Sequence, residues 1–283
     1  MIELVGVIGG GTMGAGIAEV CARAGSSVIV LETTQEAADA AEARLDKSFA
    51  RAVKSGRIDD GAAEKARRAI TLTLDIADFA DRDLVVEAAP EIESLKLDLF
   101  GKLDSVVKPE GILATNTSSI PVIKMANATK RPDKVVGVHF FNPVPVLPLV
   151  EIVVSLTTSE DTVSAVTEYA AETLGKKTIR AGDRAGFIVN ALLIPYMVSA
   201  VRMLESGFAS AEDIDDGMVN GCAHPMGPLR LADTVGLDVT LAVAESLYSE
   251  FRESHYAPPP LLQRMVDAGR LGRKTGRGFY EYS

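Results

Sequence analysis

The feature that most constrains the chain is an apolar run, Leu4-Val5-Gly6-Val7-Ile8, that leads directly into Gly9-Gly10-Gly11-Thr12-Met13-Gly14. The second segment fits G-x-G-x-x-G, and it stands between a strand-like run and a helical one, where such a motif carries weight. Gly9 permits a tight turn off the strand, Gly11 lets the backbone approach a pyrophosphate, and Gly14 lets the following helix pack closely on the sheet. Thr12 and Met13 open that helix, whose free N–H groups and dipole favour phosphate. Taken alone, a glycine-rich segment also suits a purely structural turn. The context favours a dinucleotide site, because the next strand-like run ends in Glu32, 18 residues after Gly14. That is close to the spacing of an acid that binds the adenosine ribose. A carboxylate accepts hydrogen bonds from a ribose diol and repels a 2′-phosphate, and Thr33, Thr34 and Gln35 bring no cation. NAD is therefore expected rather than NADP. No Gly-Lys-Ser/Thr follows the loop, which excludes a Walker A site.

The first 180 residues alternate short β-branched runs with amphipathic stretches. Strands are expected over Leu4–Ile8, Ser27–Leu31, Leu84–Glu87, Ile112–Thr115, Val135–Phe140 and Glu151–Val154, with Lys177–Ile179 as an edge strand. Helices are expected over Met13–Ala24, Gln35–Ser55, Ser94–Val107 and Thr162–Leu174. Buried strands alternating with helices predict a parallel, doubly wound sheet. After Asp183 the pattern changes to helices alone, over Ile188–Leu204, Ala211–Asn220, Leu237–Phe251 and Pro260–Ala268. The domain boundary is placed there.

Composition narrows the function classes. With a formal charge of −10 the chain is a poor partner for nucleic acid, which requires a basic face. Its two cysteines, Cys21 and Cys222, have no C-x-x-C partner, so neither a disulfide framework nor a zinc cluster is expected and a reducing compartment suits it. The N-terminus lacks a basic, cleavable apolar leader, and the apolar Ala185–Leu204 stretch is broken by Asn190 and Pro195. A soluble, cytoplasmic protein without a membrane partner is expected.

Only three histidines occur: His139, His224 and His255. His139 closes a predicted strand, and strand C-terminal ends are where open α/β sheets bind ligands. Glu151 opens the next strand beyond a proline-rich turn and is able to reach the imidazole. A His–Glu pair suits oxidation of a secondary alcohol, the imidazole taking the hydroxyl proton while the carboxylate orients the ring. A histidine at a strand end is as often structural, and spacing alone does not establish the contact. His224, in a turn beside Cys222 and Pro225, reads as structural, and His255 as exposed.

These segments together resemble the short-chain L-3-hydroxyacyl-CoA dehydrogenases, especially the bacterial 3-hydroxybutyryl-CoA dehydrogenases. The resemblance runs through Val7–Gly14, Glu87-Ala88-Ala89-Pro90-Glu91, Thr115-Asn116-Thr117-Ser118-Ser119 and His139-Phe140-Phe141-Asn142-Pro143. It continues in Leu149-Val150-Glu151, Gly186–Asn190, His224–Pro228, Asp233–Asp238 and Lys274–Tyr280. What it implies is a catalytic His139–Glu151 pair, with Ser118 and Asn190 binding the substrate around its 3-oxygen. It also implies that Glu91, Lys96, Asn116 and Asn142 lie on the cofactor side of the site, and that the helical domain forms a homodimer. The residues alone also allow Asn116–Ser119 as a strand-end turn or cap, and Asn190 as a satisfied polar group in an apolar helix. Three positions depart from the family pattern: Ala191 where a basic residue is common, Pro148 where a longer side chain is, and Glu32 where aspartate is frequent.

Arg44, Lys47, Arg51 and Lys54 recur at helical spacing and form one basic face in an acidic chain. They form either a solvated face paired with Glu42 and Asp46 or a surface for the phosphates of coenzyme A. The resemblance places coenzyme A contacts here, at residues such as Ser48 and Lys54. The reading is an α/β protein. A Rossmann-like doubly wound, dinucleotide-binding domain spans 1–183, and an all-α substrate and dimerisation domain spans 184–283. It is expected to oxidise (3S)-3-hydroxyacyl-CoA, of short acyl chain, with a nicotinamide cofactor and without a metal. The rival is a related dehydrogenase of a non-CoA hydroxy acid or sugar acid. A more distant one is a dinucleotide-binding protein without catalysis, against which the intact set Ser118, His139, Glu151 and Asn190 argues.

Overall fold

The computed structural model describes residues 2–282, and the chain divides into two compact units, Met1–Asp183 and Arg184–Ser283. In the first, the described residues form eight strands: β1 (Leu4–Ile8), β2 (Ser27–Leu31), β3 (Ile70–Thr73), β4 (Leu84–Glu87), β5 (Ile112–Thr115), β6 (Val135–Phe140), β7 (Leu149–Val154) and β8 (Lys177–Gly182). Six helices accompany them: α1 (Thr12–Arg23), α2 (Gln35–Lys54), α3 (Asp60–Arg68), α4 (Glu93–Val106), α5 (Val122–Asn127) and α6 (Glu160–Glu168), the last extended by a π-type turn at Tyr169–Thr173. The strands lie in the order β3-β2-β1-β4-β5-β6-β7-β8. The chain starts in the middle, works outward to β3, and returns to β4 on the other side of β1. That reversal opens a crevice at the C-terminal ends of β1 and β4.

Valine- and isoleucine-rich runs account for this sheet. Val5, Val7, Val28, Val30, Leu84, Val86, Val136 and Val138 are all buried in one core with Ile17, Leu45 and Phe49 of the covering helices. Each such side chain contributes about 1.5–3 kcal/mol on burial. Helices α2, α3 and α6 are capped by Thr34, Asp59 and Ser159, whose side chains accept the first free N–H groups.

The structure departs from the sequence expectation at several points. The sheet is parallel only as far as β6, and β7 runs antiparallel to it. Residues 141–148 are too few for the crossover that a parallel neighbour needs, so the chain turns back on itself. Helix α3 and strand β3 were not expected. The helix buries little more than Ala63 and Ala66, and Ile70-Thr71-Leu72-Thr73 is a short edge strand rather than a continuous apolar run. The short α5 was likewise not foreseen, and β8 is longer than Lys177–Ile179, running on to Gly182 at the sheet edge.

The second unit is helical: α7 (Val189–Glu205), α8 (Ala211–Cys222), α9 (Pro228–Val235), α10 (Leu237–Phe251) and α11 (Pro260–Asp267). Its core joins Ile194, Met197, Val201, Leu229, Leu241, Leu247 and Leu262. Two buried carboxylates organise it. Asp215 accepts the Leu229 and Arg230 N–H groups at the start of α9, and Asp233 accepts those of Phe279 and Tyr280 in the C-terminal segment. A Cβ on Gly278 would lie 1.9 Å from Asp233 Oδ1, which explains glycine there. Among the described residues no helix is long and apolar enough to cross a membrane.

Candidate active site

The glycine loop sits at the crevice. Gly9 holds φ at +90°, in the left-handed region, and donates its N–H to Leu31 O at 2.9 Å, tying the loop to β2. A Cβ on Gly14 would fall 1.7 Å from Gly9 O, so only glycine lets α1 come this close. Nothing lies within 4 Å of where a Gly11 Cβ would stand, and no side chain caps α1. Open space thus faces the uncapped first turn of Thr12 and Met13, which fits a pyrophosphate. Glu32 follows β2 and accepts the Gly10 N–H through Oε1 at 2.6 Å. Gly10 itself was not singled out from the sequence, yet a Cβ there would stand 2.4 Å from that of Ala41.

His139 and Glu151 are direct partners in the antiparallel β6–β7 register, which places both side chains on one face. His139 Nδ1 and Glu151 Oε2 are 2.7 Å apart, with His139 5% exposed and Glu151 0%. Phe141 meets the imidazole edge-on, with centroids 4.6 Å apart. An ionised carboxylate only accepts, so a neutral imidazole beside it donates through Nδ1 and accepts at Nε2. The half-buried Asn116, just past β5, accepts the Phe140 N–H through Oδ1 at 2.8 Å and so ties the end of β6 to β5.

Beside this pair the ends of β4 and β5 are joined by buried polar groups. Glu87 Oε1 accepts from Lys96 Nζ at 2.6 Å and from Ala89 N–H at 2.7 Å, and its Oε2 from Thr115 Oγ1 at 2.7 Å. Lys96 also donates to Ala89 O at 3.2 Å and pairs with Glu91 Oε2 at 3.3 Å. Glu91 Oε1 accepts from the Thr117 hydroxyl, from the Ser118 N–H at 3.1 Å, and from the N–H and hydroxyl of Ser119 at 3.2 and 2.8 Å. Burial opposes ionisation of Glu91, but the Lys96 ammonium and these donors outweigh it and hold its pKa below the usual carboxylate range. Sequence reading assigned no role to Glu87 or Thr117. Their signal was a charged residue ending an apolar strand and a hydroxyl inside Asn116–Ser119.

The other expected residues are placed as follows. Asn142 is exposed in the turn after β6, at a cis peptide to Pro143. Asn190 is half-buried in the first turn of α7, in the second unit, and is preceded by Gly186 and Phe187 at φ +72° and +48°. Ser48 donates to the buried Glu19 carboxylate of α1, which also pairs with Arg23. Arg44, Lys47, Arg51 and Lys54 are exposed on α2. Glu42 and Asp46, the acids considered as their partners, instead pair with Arg67 of α3, at 2.6 and 2.7 Å. Arg44 turns back to the cofactor loop, with Nη1 3.4 Å from Gly10 O. His224 Nδ1 lies 3.1 Å from Tyr196 OH, and His255 lies 3.4 Å from Glu253. Among the described residues no group of three His, Cys, Asp or Glu side chains is placed to hold a metal.

The chain is similar along its whole length to known proteins. Residues 4–184 match the family model of the 3-hydroxyacyl-CoA dehydrogenase NAD binding domain, and residues 186–282 that of the C-terminal domain of the same family. A 3-hydroxybutyryl-CoA dehydrogenase of Mycobacterium tuberculosis is 53% identical over 282 residues, which cover 99% of either chain. The crystal structure of FadB2 from the same organism superposes with a TM-score of 0.98 at 53% identity, covering 100% of this chain and 99% of that one. That of (S)-3-hydroxybutyryl-CoA dehydrogenase from Ralstonia eutropha gives 0.94 at 43% identity, covering all of both chains. With both domains of the family in order along its length and relatives at 53% identity over nearly all of it, the chain belongs to the 3-hydroxyacyl-CoA dehydrogenase family.

Proposed function

We propose that the protein is an NAD-dependent (3S)-3-hydroxyacyl-CoA dehydrogenase of short-chain substrates, interconverting 3-hydroxybutyryl-CoA and acetoacetyl-CoA. The observation that carries this is the 2.7 Å contact between His139 Nδ1 and Glu151 Oε2. The loop Gly9–Gly14 holds the dinucleotide, and Glu32 takes the adenosine ribose. Its charge disfavours a 2′-phosphate, which supports NAD over NADP. When bound, the nicotinamide supplies the hydride acceptor for oxidation or the donor for reduction. His139 Nε2 takes the 3-hydroxyl proton in oxidation and returns it in ketone reduction. Glu151 fixes the ring and stabilises the imidazolium that forms, and the surrounding low dielectric strengthens that interaction. Ser118 and Asn190 hold the substrate's 3-oxygen, and Glu91, Asn116 and Asn142 stand on the nicotinamide side. Lys96 donates to Glu87 and to Ala89 O and pairs with Glu91, so its part on that side is indirect.

Coenzyme A phosphates are received by the exposed cations of α2, with Lys54 among them. The second unit forms a homodimer, a reading supported by exposed Leu192, Met203, Phe208 and Val239. Oxidation of NADH with acetoacetyl-CoA, compared with free acetoacetate, tests the assignment. Saturation with the thioester alone is expected. Equal turnover of free acetoacetate would favour a hydroxy-acid dehydrogenase, and no turnover of either would defeat the catalytic reading.

A further inference from the structure

Glu87 ends an otherwise apolar strand, and it is 0% exposed beside a Lys96 that is 1% exposed. Burying a carboxylate and an ammonium together gains little stability over apolar side chains of similar volume, so such a pair calls for another reason to be there. Its connections supply one. Thr115 Oγ1 gives its single hydrogen to Glu87 Oε2, which leaves its lone pairs to accept the Thr117 N–H at 3.2 Å. Glu87 therefore reaches the turn Thr117-Ser118-Ser119 from two sides. One path runs through Lys96 and Glu91, the other through Thr115, and the two close a ring around that turn.

We propose that Glu87 is a positioning residue for the Ser118 turn, acting through Lys96 and Glu91 on one side and Thr115 on the other. This rests on the reading that Ser118 holds the substrate's 3-oxygen. Glu91 alone does not hold the turn firmly, because its side chain is 39% exposed and water competes for it. The fixed point is Lys96, and Lys96 is held by the fully buried Glu87. Of the acids in this ring, Glu87 is the one anchored in the sheet itself.

The test uses the full-length enzyme and two readouts. In steady-state acetoacetyl-CoA reduction, Glu87→Gln should lower kcat by about tenfold or more, as displacement of a positioning group does, with KM for NADH changed by less than about twofold. In a Ser118→Ala background the same substitution should cost less than about twofold, because the route through Ser118 is already cut. Thr115→Val opens the ring at another point without removing a charge and should behave alike. Hydrogen exchange gives the second readout, which is independent of activity. The Ser118 and Ser119 amides should exchange about tenfold faster in both ring variants. Equal kcat losses in both Ser118 backgrounds, or unchanged exchange of those amides, would overturn the proposal. If Ser118→Ala leaves activity intact while the exchange still accelerates, the assignment of Ser118 to substrate fails and the ring stands.

Discussion

The contact between His139 and Glu151 permits a quantitative test of the catalytic reading. The two side chains are buried and joined at 2.7 Å, so truncating either to alanine would strand the other in the sheet. Loss of one member of a buried pair costs about 3–5 kcal/mol of stability, which would confuse folding with catalysis. Glutamine at each position avoids this, since its amide can still donate to Glu151 or accept from His139 Nδ1. His139→Gln removes the proton acceptor and should lower the chemical step by about 10²–10⁴. Glu151→Gln removes the charge that favours the imidazolium. A hydrogen bond to a charged group is worth about 1.5–3 kcal/mol, which at about 1.4 kcal/mol per tenfold gives a loss of about tenfold to a hundredfold.

The structure also dictates how the losses combine. Glu151 is fully buried and meets His139 across the β6–β7 register, so it acts on the substrate through the ring. The double variant should therefore be no slower than His139→Gln alone. Single-turnover oxidation of NADH by acetoacetyl-CoA, followed by stopped flow, measures the step directly. NADH binding, read by fluorescence, should remain near wild type, because the glycine loop is carried by β1 and α1. A double variant whose loss equals the product of the single losses would show two independent residues and refute the dyad.

Glu32→Ala should weaken NADH binding by about tenfold to a hundredfold and narrow its advantage over NADPH, and a wild type that prefers NADPH would refute the reading of Glu32. Reversing Arg44, Lys47, Arg51 and Lys54 to glutamate should raise KM for acetoacetyl-CoA more than it lowers kcat, and the effect should fade at 1 M salt, where screening acts over about 3 Å. An unchanged KM would make the stripe a solvated face. Asp83 accepts the Glu3 and Leu4 N–H groups and pairs with Lys108 at 2.6 Å. Burial works against its charge, but these partners together depress its folded pKa. The stability it lends is present above the unfolded value of about 4 and is lost as pH falls through the folded one. Urea denaturation should show Asp83→Asn costing about 1–2 kcal/mol at neutral pH and progressively less below pH about 4, and a gap independent of pH would refute it.

The strands that the sequence reveals most clearly are the continuous β-branched runs, buried on both faces in β4, β5 and β6 and on one face in β2. β1, β2, β4, β5 and β6 span the expected residues, because a continuous β-branched run has no other stable use at that length. β3 escapes because threonine alternates with apolar residues at a sheet edge, and α3 because alanine is nearly all that it buries. The direction of β7 was also obscured. Periodicity distinguishes strand from helix but carries no sign for direction, and only the brevity of residues 141–148 indicated a reversal. That reversal is what sets His139 opposite Glu151, a pairing that residue types suggest while leaving its geometric cause hidden.

Charged residues show the limit most plainly, because their partners are set by tertiary structure. Lys96 lies on an amphipathic helix, where a lysine reads as solvent-facing, and its burial depends on a carboxylate at the end of a different element. The same holds for the basic face of α2. From the sequence, Glu42 and Asp46 are the acids that would neutralise it, one turn away on the same helix. Instead both are bound by Arg67, from a helix that had not been foreseen. Arg67 thereby withdraws two negative charges from the neighbourhood of Lys47, Arg51 and Lys54. Among the described residues none of these three has a carboxylate within 4 Å, so the face retains its positive charge. An acidic chain that leaves three cations unneutralised on one helix has a surface suited to an anionic ligand. Had Glu42 and Asp46 paired along α2, reversing the stripe would have exchanged one set of neutral pairs for repulsions. As it stands, reversal changes the sign of a field already presented to solvent, and KM for a phosphate-bearing thioester is the quantity that should respond.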